Sequence, residues 1–375
     1  MKKEINLKDI KRILIVNPFG IGDVLFTTPL IRNLRYYFPK SYIAYLCNKR
    51  TQYILENNPY IDEVFVFEKD EFRQLWRNSK IKFFKEISKF LKKLKKRNFD
   101  LCIDLSLNAQ YGFFLKFLKI PYRVGFNFKN RGRFLTHPIP ILGYENKHVV
   151  EFYLDVMRYL NLEPQDFYLE LFLKEEDKKW AEDFLKDKAV KAPLIGICPA
   201  GGESWGKNRF MKYWAPEKFS ELIERINKEL RDATVILFSS KSERRQVLQI
   251  LNLIDKKKVI DLSGRTSIGE FFSLISKLDL LITNDGGPLH VAVALGVRTI
   301  SIFGPVDEKT YGPFPPDDTK HIVIKKDLSC RPCYRKFKIP ICKYGRRCLN
   351  DIRPEEVFEA VKKLMRNEDK VLRFK

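Results

Sequence analysis

The sequence predicts an α/β protein with two doubly wound parallel sheets, each in its own domain. Short apolar runs of strand length alternate with amphipathic helical stretches, the alternation restarts near mid-chain, and a charged stretch at 172–192 separates the halves. At 375 residues, the chain is long enough for two domains that each bury a core. We expect the domains to face each other across a cleft, with ligands beyond the carboxyl ends of the strands.

The first half predicts a Rossmann-like domain at residues 1–175. An amphipathic helix follows the first strand, from about Asp23 to Tyr37, and a long basic helix precedes the fourth strand. The predicted strands are RILIVN (12–17), SYIAYLC (41–47), EVFVFE (63–68) and FDLCIDLS (99–106).

The second half repeats the pattern and predicts a second Rossmann-like domain at residues 176–353. Its predicted strands are PLIGICPA (193–200), ATVILFSS (233–240), KVIDLSG (258–264), DLLITND (279–285) and RTISIFGP (298–305). The segment 354–375 begins with one more amphipathic helix, which we expect to pack back toward the N-terminal domain.

The composition is strongly basic. Seventy Lys and Arg against 47 Asp and Glu leave a net charge of +23, with a pI near 9.6. This favours a polyanionic neighbour, namely nucleic acid, an anionic membrane or a phosphorylated substrate. No apolar run approaches the ~20 residues of a membrane span. The N-terminus lacks the form of a signal peptide, so we expect a cytoplasmic location.

The basic charge is concentrated in KIKFFKEISKFLKKLKKR (80–97), which holds nine Lys and Arg and one Glu, a net of +8. Its apolar residues recur at helical spacing, so one face is apolar and the other cationic. We expect the cationic face to meet an anionic bilayer or a phosphorylated acceptor, with KNRGR (129–133) adding to it. A merely solvated face is the alternative. The residues predicted to face the acceptor or membrane are Lys92, Lys93, Lys95, Lys96 and Arg97.

The stretch ITNDGGPLH (282–290) sets an acid, two glycines and a proline at the end of a predicted strand. The proline suits the first turn of a helix, and the glycines let backbone approach a ligand closely. Because N–H groups at a helix start favour an anion, Asp285, Gly286 and Gly287 form a candidate phosphate site. In the alternative, Asp285 only caps the helix. His290 is interpreted as a packing or supporting residue.

Two further loops follow predicted strands. CPAGGESWGKNRFMKYW (198–214) is glycine-rich, and its Gly202 and Lys212 are candidates to meet a diphosphate. NPFGIGD (17–23) opens the first helix with Asp23, a carboxylate able to accept a proton from an incoming hydroxyl. A capping role for Asp23 is the alternative.

Three stretches together resemble the heptosyltransferases, glycosyltransferase family 9: GDVLFTTPLIRNL, PAGGESWGKNRFMKYWAPEKFSEL and TNDGGPLHVAVALGVRTISIFGP. FDLCIDLS, RVGFNFKNRGRFLTHPIP and KHVVEFYLDVMRYLNL extend the resemblance to about residues 12–360. It implies the GT-B fold, in which two Rossmann-like domains face each other, and transfer of heptose from ADP-heptose with inversion. It also implies the inner core of lipopolysaccharide as acceptor, no metal or other cofactor, and a peripheral position on the inner face of the inner membrane.

By position, the resemblance makes Asp23 the base and Lys212 the lysine that contacts the phosphates or sugar of the donor. Glu243 aligns loosely with a carboxylate that binds the ribose hydroxyls. Many members have an Arg shortly before the GD pair, where this chain reads NPFGIGD. The predicted donor-binding residues are Gly202, Glu243, Asp285, Gly286, Gly287 and His290.

Two other functions remain alternatives at this point. One is a family 9 transferase with a different nucleotide sugar, or with a protein or polysaccharide acceptor. The other is a non-catalytic basic adaptor that keeps a nucleotide pocket. Nucleic acid is not expected as a partner, and the absence of a GxGxxG motif disfavours a nucleotide-dependent oxidoreductase.

Four of the seven cysteines fall within residues 330–348, with the spacing C-x2-C-x8-C-x5-C. Four thiols at this spacing could bind a structural zinc ion, form two disulfides or stay free. The spacing does not decide among these, so no metal site is predicted. The residues concerned are Cys330, Cys333, Cys342 and Cys348.

Overall fold

Two six-stranded parallel sheets organise the computed structural model, which describes residues 4–201 and 203–372. The chain divides into two units. Unit 1 is the chain up to Tyr144 together with Val149–Tyr168, and unit 2 is Glu145–His148 together with the chain from Leu169 onward. The boundary therefore lies earlier than the predicted residue 175, and a short segment of the first half belongs to unit 2.

The strands of unit 1 are β1 (Arg12–Val16), β2 (Tyr42–Cys47), β3 (Glu63–Val66), β4 (Leu101–Asp104), β5 (Tyr122–Phe128) and β6 (His137–Ile141). Its helices are α1 (Ile21–Leu25), α2 (Thr28–Tyr37), α3 (Gln52–Glu56), α4 (Lys69–Asn78), α5 (Lys80–Lys95), α6 (Ala109–Phe117) and α7 (Val149–Tyr159). The sheet order is β3-β2-β1-β4-β5-β6, with every neighbouring pair parallel. This is the Rossmann-like order, whose direction switches between β1 and β4.

The single helix predicted from Asp23 to Tyr37 is two helices, α1 and α2. Pro29 lies in the first turn of α2 and has no N–H to donate to the carbonyl four residues earlier. The hydroxyl of Thr28 donates to that carbonyl, Leu25 O, over 2.8 Å. The break therefore follows from proline chemistry, which the apolar periodicity alone did not reveal.

Unit 2 repeats the strand order of unit 1. Its strands are β7 (Leu194–Cys198), β8 (Thr234–Leu237), β9 (Val259–Asp261), β10 (Leu280–Asn284), β11 (Thr299–Ile302) and β12 (His321–Ile324). Its helices are α8 (Glu175–Asp187), α9 (Pro216–Glu229), α10 (Arg244–Leu251), α11 (Ile268–Ile275), α12 (Gly287–Ala294), α13 (Glu308–Tyr311), α14 (Arg347–Asn350) and α15 (Pro354–Leu372). The sheet order is β12-β11-β10-β7-β8-β9, again all parallel, so the direction switches between β7 and β10.

The C-terminal helix α15 packs into the core of unit 2. Val357, Phe358, Val361 and Leu364 are buried in one cluster with apolar residues of α9, α10 and the strands of the second sheet. Packing of this helix toward the N-terminal domain stays a prediction. Its buried stripe completes a layer over the second sheet.

Candidate functional site

Side chains join the ends of β7 and β10 at the switch point of unit 2. Asn284 donates through Nδ2 to Pro199 O over 2.7 Å, and its Oδ1 accepts from Trp214 N over 3.2 Å. The hydroxyl of Thr283 donates to Cys198 O over 3.2 Å. Because Asn284 and Thr283 are fully buried, their hydrogen bonds fix the starting points of the loops that follow the two strands.

Those two loops touch backbone to backbone at Gly201 and Gly286. A Cβ on Gly286 would lie 2.5 Å from Gly201 O, closer than van der Waals contact allows. Gly286 has extended backbone, with φ 172°, so close approach rather than conformation requires a glycine there. Gly201 has φ +106°, in the region that favours glycine. We call Gly201, Gly286 and the start of α12 at Gly287 the glycine corner.

A buried ion pair flanks the glycine corner. Lys212 Nζ lies 2.8 Å from Asp285 Oδ2, and the two side chains are 8% and 6% exposed. At this distance the ammonium contacts the carboxylate oxygen directly, as expected for a buried ion pair. The ammonium also lies 4.7 Å from the centroid of the Trp205 ring. Asp285 thus compensates the buried lysine, and a diphosphate would give Lys212 a second anionic partner.

Two buried histidines belong to the same unit. Burial lowers the pKa of His290 well below its usual range, and the nearby His148 and Lys212 lower it further. Burial also lowers the pKa of His148 to about 4. His148 is therefore neutral at pH 7, its Nε2 donates to Gly312 O over 3.1 Å, and its ring stacks on Phe314 at 4.5 Å. The supporting role of His290 stays a prediction.

Glu243 holds the glycine corner from the loop after β8. Its carboxylate oxygens accept from Gly201 N over 3.3 and 3.2 Å, and Oε1 also accepts from Tyr213 OH. The side chain is buried. Gly202, the next residue of the predicted set, lies outside the described residues. The structure brings the other predicted donor-site residues together at one sheet edge: Lys212, Glu243, Asp285, Gly286, Gly287 and His290.

In unit 1, α1 begins beyond the carboxyl end of β1 and carries Asp23. Asp23 Oδ2 accepts from Gly20 N over 3.1 Å, and Asn17 Nδ2 donates to Asp23 O over 3.0 Å. Gly20 is the N-cap residue of α1, so the first contact is a capping contact of the kind named as the alternative at the sequence level. The same contact orients a partly buried carboxylate at the carboxyl edge of this sheet.

A second carboxylate, Asp104, ends β4 in register with the last residue of β1. It is 5% exposed, and Ser106 N donates to its Oδ1 over 2.9 Å. Burial raises the pKa of Asp104 to about 6, while the contacts with Ser106 lower it. Asp104 is not among the residues predicted from the sequence. The available signal was an acid at the end of the apolar run FDLCIDLS.

The cationic residues 92–97 lie at the C-terminal end of α5, which leads into the amino end of β4. There Asp100 N donates to Arg12 O over 2.9 Å, next to the amino end of β1. Asp23 lies beyond the opposite, carboxyl end of β1. The helix direction therefore places these residues at the opposite edge of the sheet from Asp23, and their contact with the acceptor or a membrane stays a prediction.

Two of these five residues already have anionic partners. Arg97 Nε and Lys93 Nζ lie 2.7 and 3.3 Å from the carboxylate of Glu63, at the edge strand β3. The Arg97 hydrogen bond is the main reason that the pKa of Glu63 falls to about 2. The remaining three side chains are exposed: Lys92, Lys95 and Lys96.

The four clustered cysteines are free thiols in the structure. Within residues 4–201 and 203–372, no group of three or more His, Cys, Asp or Glu is arranged to hold a metal ion. Burial raises the pKa of Cys348 to about 11, with a further contribution from Cys333. Tyr334, the residue after Cys333, lies 4.8 Å from the Trp205 ring. The cysteine segment therefore packs behind the aromatic ring that contacts Lys212.

A family model, glycosyltransferase family 9 (heptosyltransferase), matches residues 87–341. A lipooligosaccharide heptosyltransferase 2 of Campylobacter jejuni is 25% identical over 361 residues, which is 94% of this chain and 99% of the relative.

Solved structures match over nearly the whole chain. The glycosyl transferase family 9 structure from Veillonella parvula has a TM-score of 0.81 at 24% identity and covers 97% of this chain and 100% of that chain. The Escherichia coli heptosyltransferase WaaC with ADP-2-deoxy-2-fluoro heptose has a TM-score of 0.67 at 17% identity, covering 94% and 99%. The predicted fold class, GT-B with two Rossmann-like domains, is confirmed.

Proposed function

Because the chain belongs to glycosyltransferase family 9 (heptosyltransferase), it is a glycosyltransferase, and we propose that it transfers heptose from ADP-heptose to the inner core of lipopolysaccharide. The relatives support these substrates, since one is a lipooligosaccharide heptosyltransferase and another was solved with an ADP-heptose analogue. The observation that carries the proposal is the buried Lys212–Asp285 pair beside the glycine corner. The non-catalytic adaptor is set aside.

The glycine corner and Lys212 hold the diphosphate of the donor. The first N–H groups of α12 and the Lys212 ammonium offer fixed positive charge beside backbone that has no side chains in the way. As the bond from the sugar to the diphosphate breaks, negative charge grows on ADP, and these groups stabilise it. Asp285 accepts a hydrogen bond from a hydroxyl of the sugar, while its Oδ2 stays beside the Lys212 ammonium. Glu243 supports the corner and lies at the ribose.

Asp23 acts as the general base. Its carboxylate takes the proton of the acceptor hydroxyl while the hydroxyl oxygen bonds to the anomeric carbon from the side opposite ADP. ADP leaves with the electron pair of the broken bond, so the configuration at the anomeric carbon inverts. Support comes from the position of Asp23 beyond the carboxyl end of β1 and from the Gly20 N–H that orients its carboxylate.

The acceptor is anionic and lipid-anchored. Beyond β5 at the carboxyl edge of unit 1, the loop 129–133 exposes Lys129, Arg131 and Arg133, cations suited to phosphate groups on core sugars. Among the described residues, no helix has the length and apolar character to cross a membrane. We assign the reaction to the cytoplasmic, inner face of the inner membrane, where the net charge of +23 favours an anionic bilayer.

Two substitutions test the separate roles of Asp23 as base and Lys212 as the group that binds the diphosphate. Asp23→Asn preserves the shape of the side chain and removes the base, so transfer should fall about 100-fold or more while ADP affinity stays within about twofold. Lys212→Met should weaken both ADP binding and transfer. Transfer is measured with ADP-heptose and a core acceptor, and ADP binding by calorimetry. Asp23→Asn transferring at the wild-type rate would remove Asp23 from the mechanism.

Donor identity is tested by competition. The wild-type enzyme is given ADP-heptose and other nucleotide sugars, each with the same core acceptor, and the products are identified by mass. Only ADP-heptose should support turnover. Efficient transfer from another nucleotide sugar would replace the proposed donor and leave the proposed roles of Lys212 and Asp23 in place.

A further inference from the structure

We propose that the junction of α4 and α5 inserts into an anionic lipid bilayer and holds unit 1 at the membrane. The junction exposes three large apolar side chains, which we call the aromatic corner: Trp76, Ile81 and Phe84. They are 45%, 83% and 59% exposed. Large apolar side chains exposed close together in the chain are typical of interaction sites on a folded surface.

Ring contacts connect the aromatic corner to the core and hold it in place. The Trp76 ring centroid lies 5.9 Å from that of Phe84 and 5.1 Å from that of Phe83. Phe83 in turn contacts Phe72 at 6.3 Å, and Phe72 stacks at 4.6 Å on Phe67, which is buried. The exposed rings are therefore fixed by packing in an outward position, and little side-chain freedom is lost when they bind.

The charge around the aromatic corner selects the partner. Residues 73–89 contain six Lys and Arg and one Glu, a net of +5, and Lys80 Nζ lies 5.5 Å from the Trp76 ring centroid. Tryptophan and phenylalanine beside lysine and arginine are the composition of segments that lie in a bilayer interface. The rings enter the boundary between headgroups and acyl chains, while the cations contact anionic headgroups. An anionic bilayer therefore binds both the apolar and the basic side chains.

The topology places the aromatic corner at the carboxyl edge of the first sheet, the edge at which Asp23 lies. α4 follows the carboxyl end of β3, and α5 starts at that same edge because its other end leads into the amino end of β4. Asp23 also lies beyond the carboxyl end of its strand. The cationic residues 92–97 are about 20 Å away along α5, at 1.5 Å per residue. A bilayer bound at the aromatic corner would therefore lie at the same edge of the sheet as the candidate base, Asp23.

This inference rests on the proposed function only in taking the acceptor to be lipid-anchored. Vesicle binding is therefore measured on the full chain without donor or acceptor. Flotation is carried out with vesicles of neutral phosphatidylcholine and with vesicles that also contain phosphatidylglycerol. The wild type should bind the anionic vesicles, and the double variant Trp76→Ala, Phe84→Ala should bind them at least about tenfold more weakly.

Two control variants locate the effect. Phe113→Ala with Phe117→Ala removes two other exposed rings of unit 1, which are 52% and 61% exposed, and should bind like the wild type. The triple Gln variant of Lys92, Lys95 and Lys96 should lose no more than about threefold. The double variant should keep full activity on a delipidated core oligosaccharide, which verifies its fold, and lose activity on the acceptor embedded in vesicles.

Several results would overturn the inference. These are wild-type binding by the double variant, a larger loss in the lysine variant, or equal binding to neutral and anionic vesicles. No binding of the wild type to anionic vesicles would exclude the bilayer in favour of an acidic protein partner. If the wild type transfers no heptose yet binds vesicles through the aromatic corner, the inference stands and the proposed function falls.

Discussion

Units 1 and 2 share one strand order, yet their switch points are built from different groups. In unit 2, the loops after the first and fourth strands meet backbone to backbone at Gly201 and Gly286, beside a buried ion pair. In unit 1, Asp23 follows the first strand and accepts from Gly20 N, and Asp104 ends the fourth strand. The same topology therefore gives an anion-accepting corner in one unit and an acidic corner in the other.

The difference teaches how the chemistry is divided. Strand order determines only where a ligand site can lie, and the residues at and just beyond the carboxyl ends of the first and fourth strands determine its charge. A glycosyl transfer needs cations and amides for the leaving diphosphate and a carboxylate for the attacking hydroxyl. Each unit of this chain is suited to one of those needs.

The largest expected effect comes from adding one methyl group to the glycine corner. In Gly286→Ala the new Cβ would lie 2.5 Å from Gly201 O, and a backbone atom cannot move away cheaply. The corner must open, and a displacement of about 1 Å should lower ADP affinity and transfer about 100-fold. Calorimetric titration with ADP measures the loss.

The matched control lies in unit 1. In Gly112→Ala the new methyl would meet Phe134 Cβ at 3.3 Å, which requires a shift of only a few tenths of an ångström. ADP affinity should stay at the wild-type value. Equal ADP affinities for the two alanine variants would contradict the requirement for backbone contact in unit 2.

The sequence predicted nine of these strands, and the three that it missed have a physical explanation. Two of them, β6 and β12, are edge strands. β6 reads HPIPI, and its two prolines cannot donate to a sheet, so they are tolerated only at an edge. β12 has only four residues, and β5 contains a glycine and an asparagine, which weaken the β pattern.

Residues of the candidate site that belong to a local sequence motif could be predicted. Contacts between residues far apart in the chain could not. Asp285 and Gly286 stand in a glycine turn that is visible in the sequence, whereas the contact of His148 with Gly312 joins residues 164 apart. Burial decides the behaviour of Asp104, and burial of a strand-end acid depends on packing from elsewhere in the chain. Local patterns cannot supply that information.

The two buried carboxylates should respond in opposite ways to neutralisation. Asp285→Asn leaves Lys212 buried without its counter-charge and should destabilise the protein by about 3–5 kcal/mol. Asp104→Asn removes a charge that burial destabilises and keeps an oxygen for the Ser106 N–H, so it should stabilise the protein by about 2 kcal/mol at pH 7. Urea unfolding at pH 7 measures both.

The pH dependence sharpens this contrast. Because the pKa of Asp104 is raised to about 6 from 3.8, its cost is present above pH 6 and is relieved as pH falls toward 3.8. The advantage of Asp104→Asn should therefore shrink below pH 6 and vanish near pH 4. An advantage that stays constant with pH would mean that the carboxylate is not the source of the effect.

His148 should make unit 2 sensitive to acid. The folded imidazole, with its pKa lowered to about 4, stays neutral while the unfolded chain takes a proton near 6.5. Unfolding is therefore favoured as pH falls from 6.5 toward 4, by up to about 3 kcal/mol from this residue. His148→Gln keeps a donor for Gly312 O and should flatten the dependence, measured as the unfolding midpoint against pH.

A second histidine of unit 2 serves as a comparison. Burial lowers the pKa of His321 to about 4 as well, so His321→Gln should flatten the same pH range by a similar amount. The two substitutions should add in the double variant. An unchanged slope in both single variants would show that carboxylates alone cause the acid sensitivity.

The smallest effect belongs to the exposed edge of unit 1, where Glu63 pairs with Arg97 and Lys93. Arg97 and Lys93 are 40% and 56% exposed, so Glu63→Gln should cost only about 1 kcal/mol at pH 7. The pKa of Glu63 is lowered to about 2, so this contribution is present above pH 4.5 and lost toward pH 2. Salt at 1 M should reduce the difference from the wild type by screening. The same salt should leave the effect of Asp285→Asn nearly unchanged, because solvent ions cannot reach the buried ion pair of unit 2. Equal salt sensitivity of the two variants, measured by urea unfolding, would contradict the difference in burial on which the comparison of the units depends.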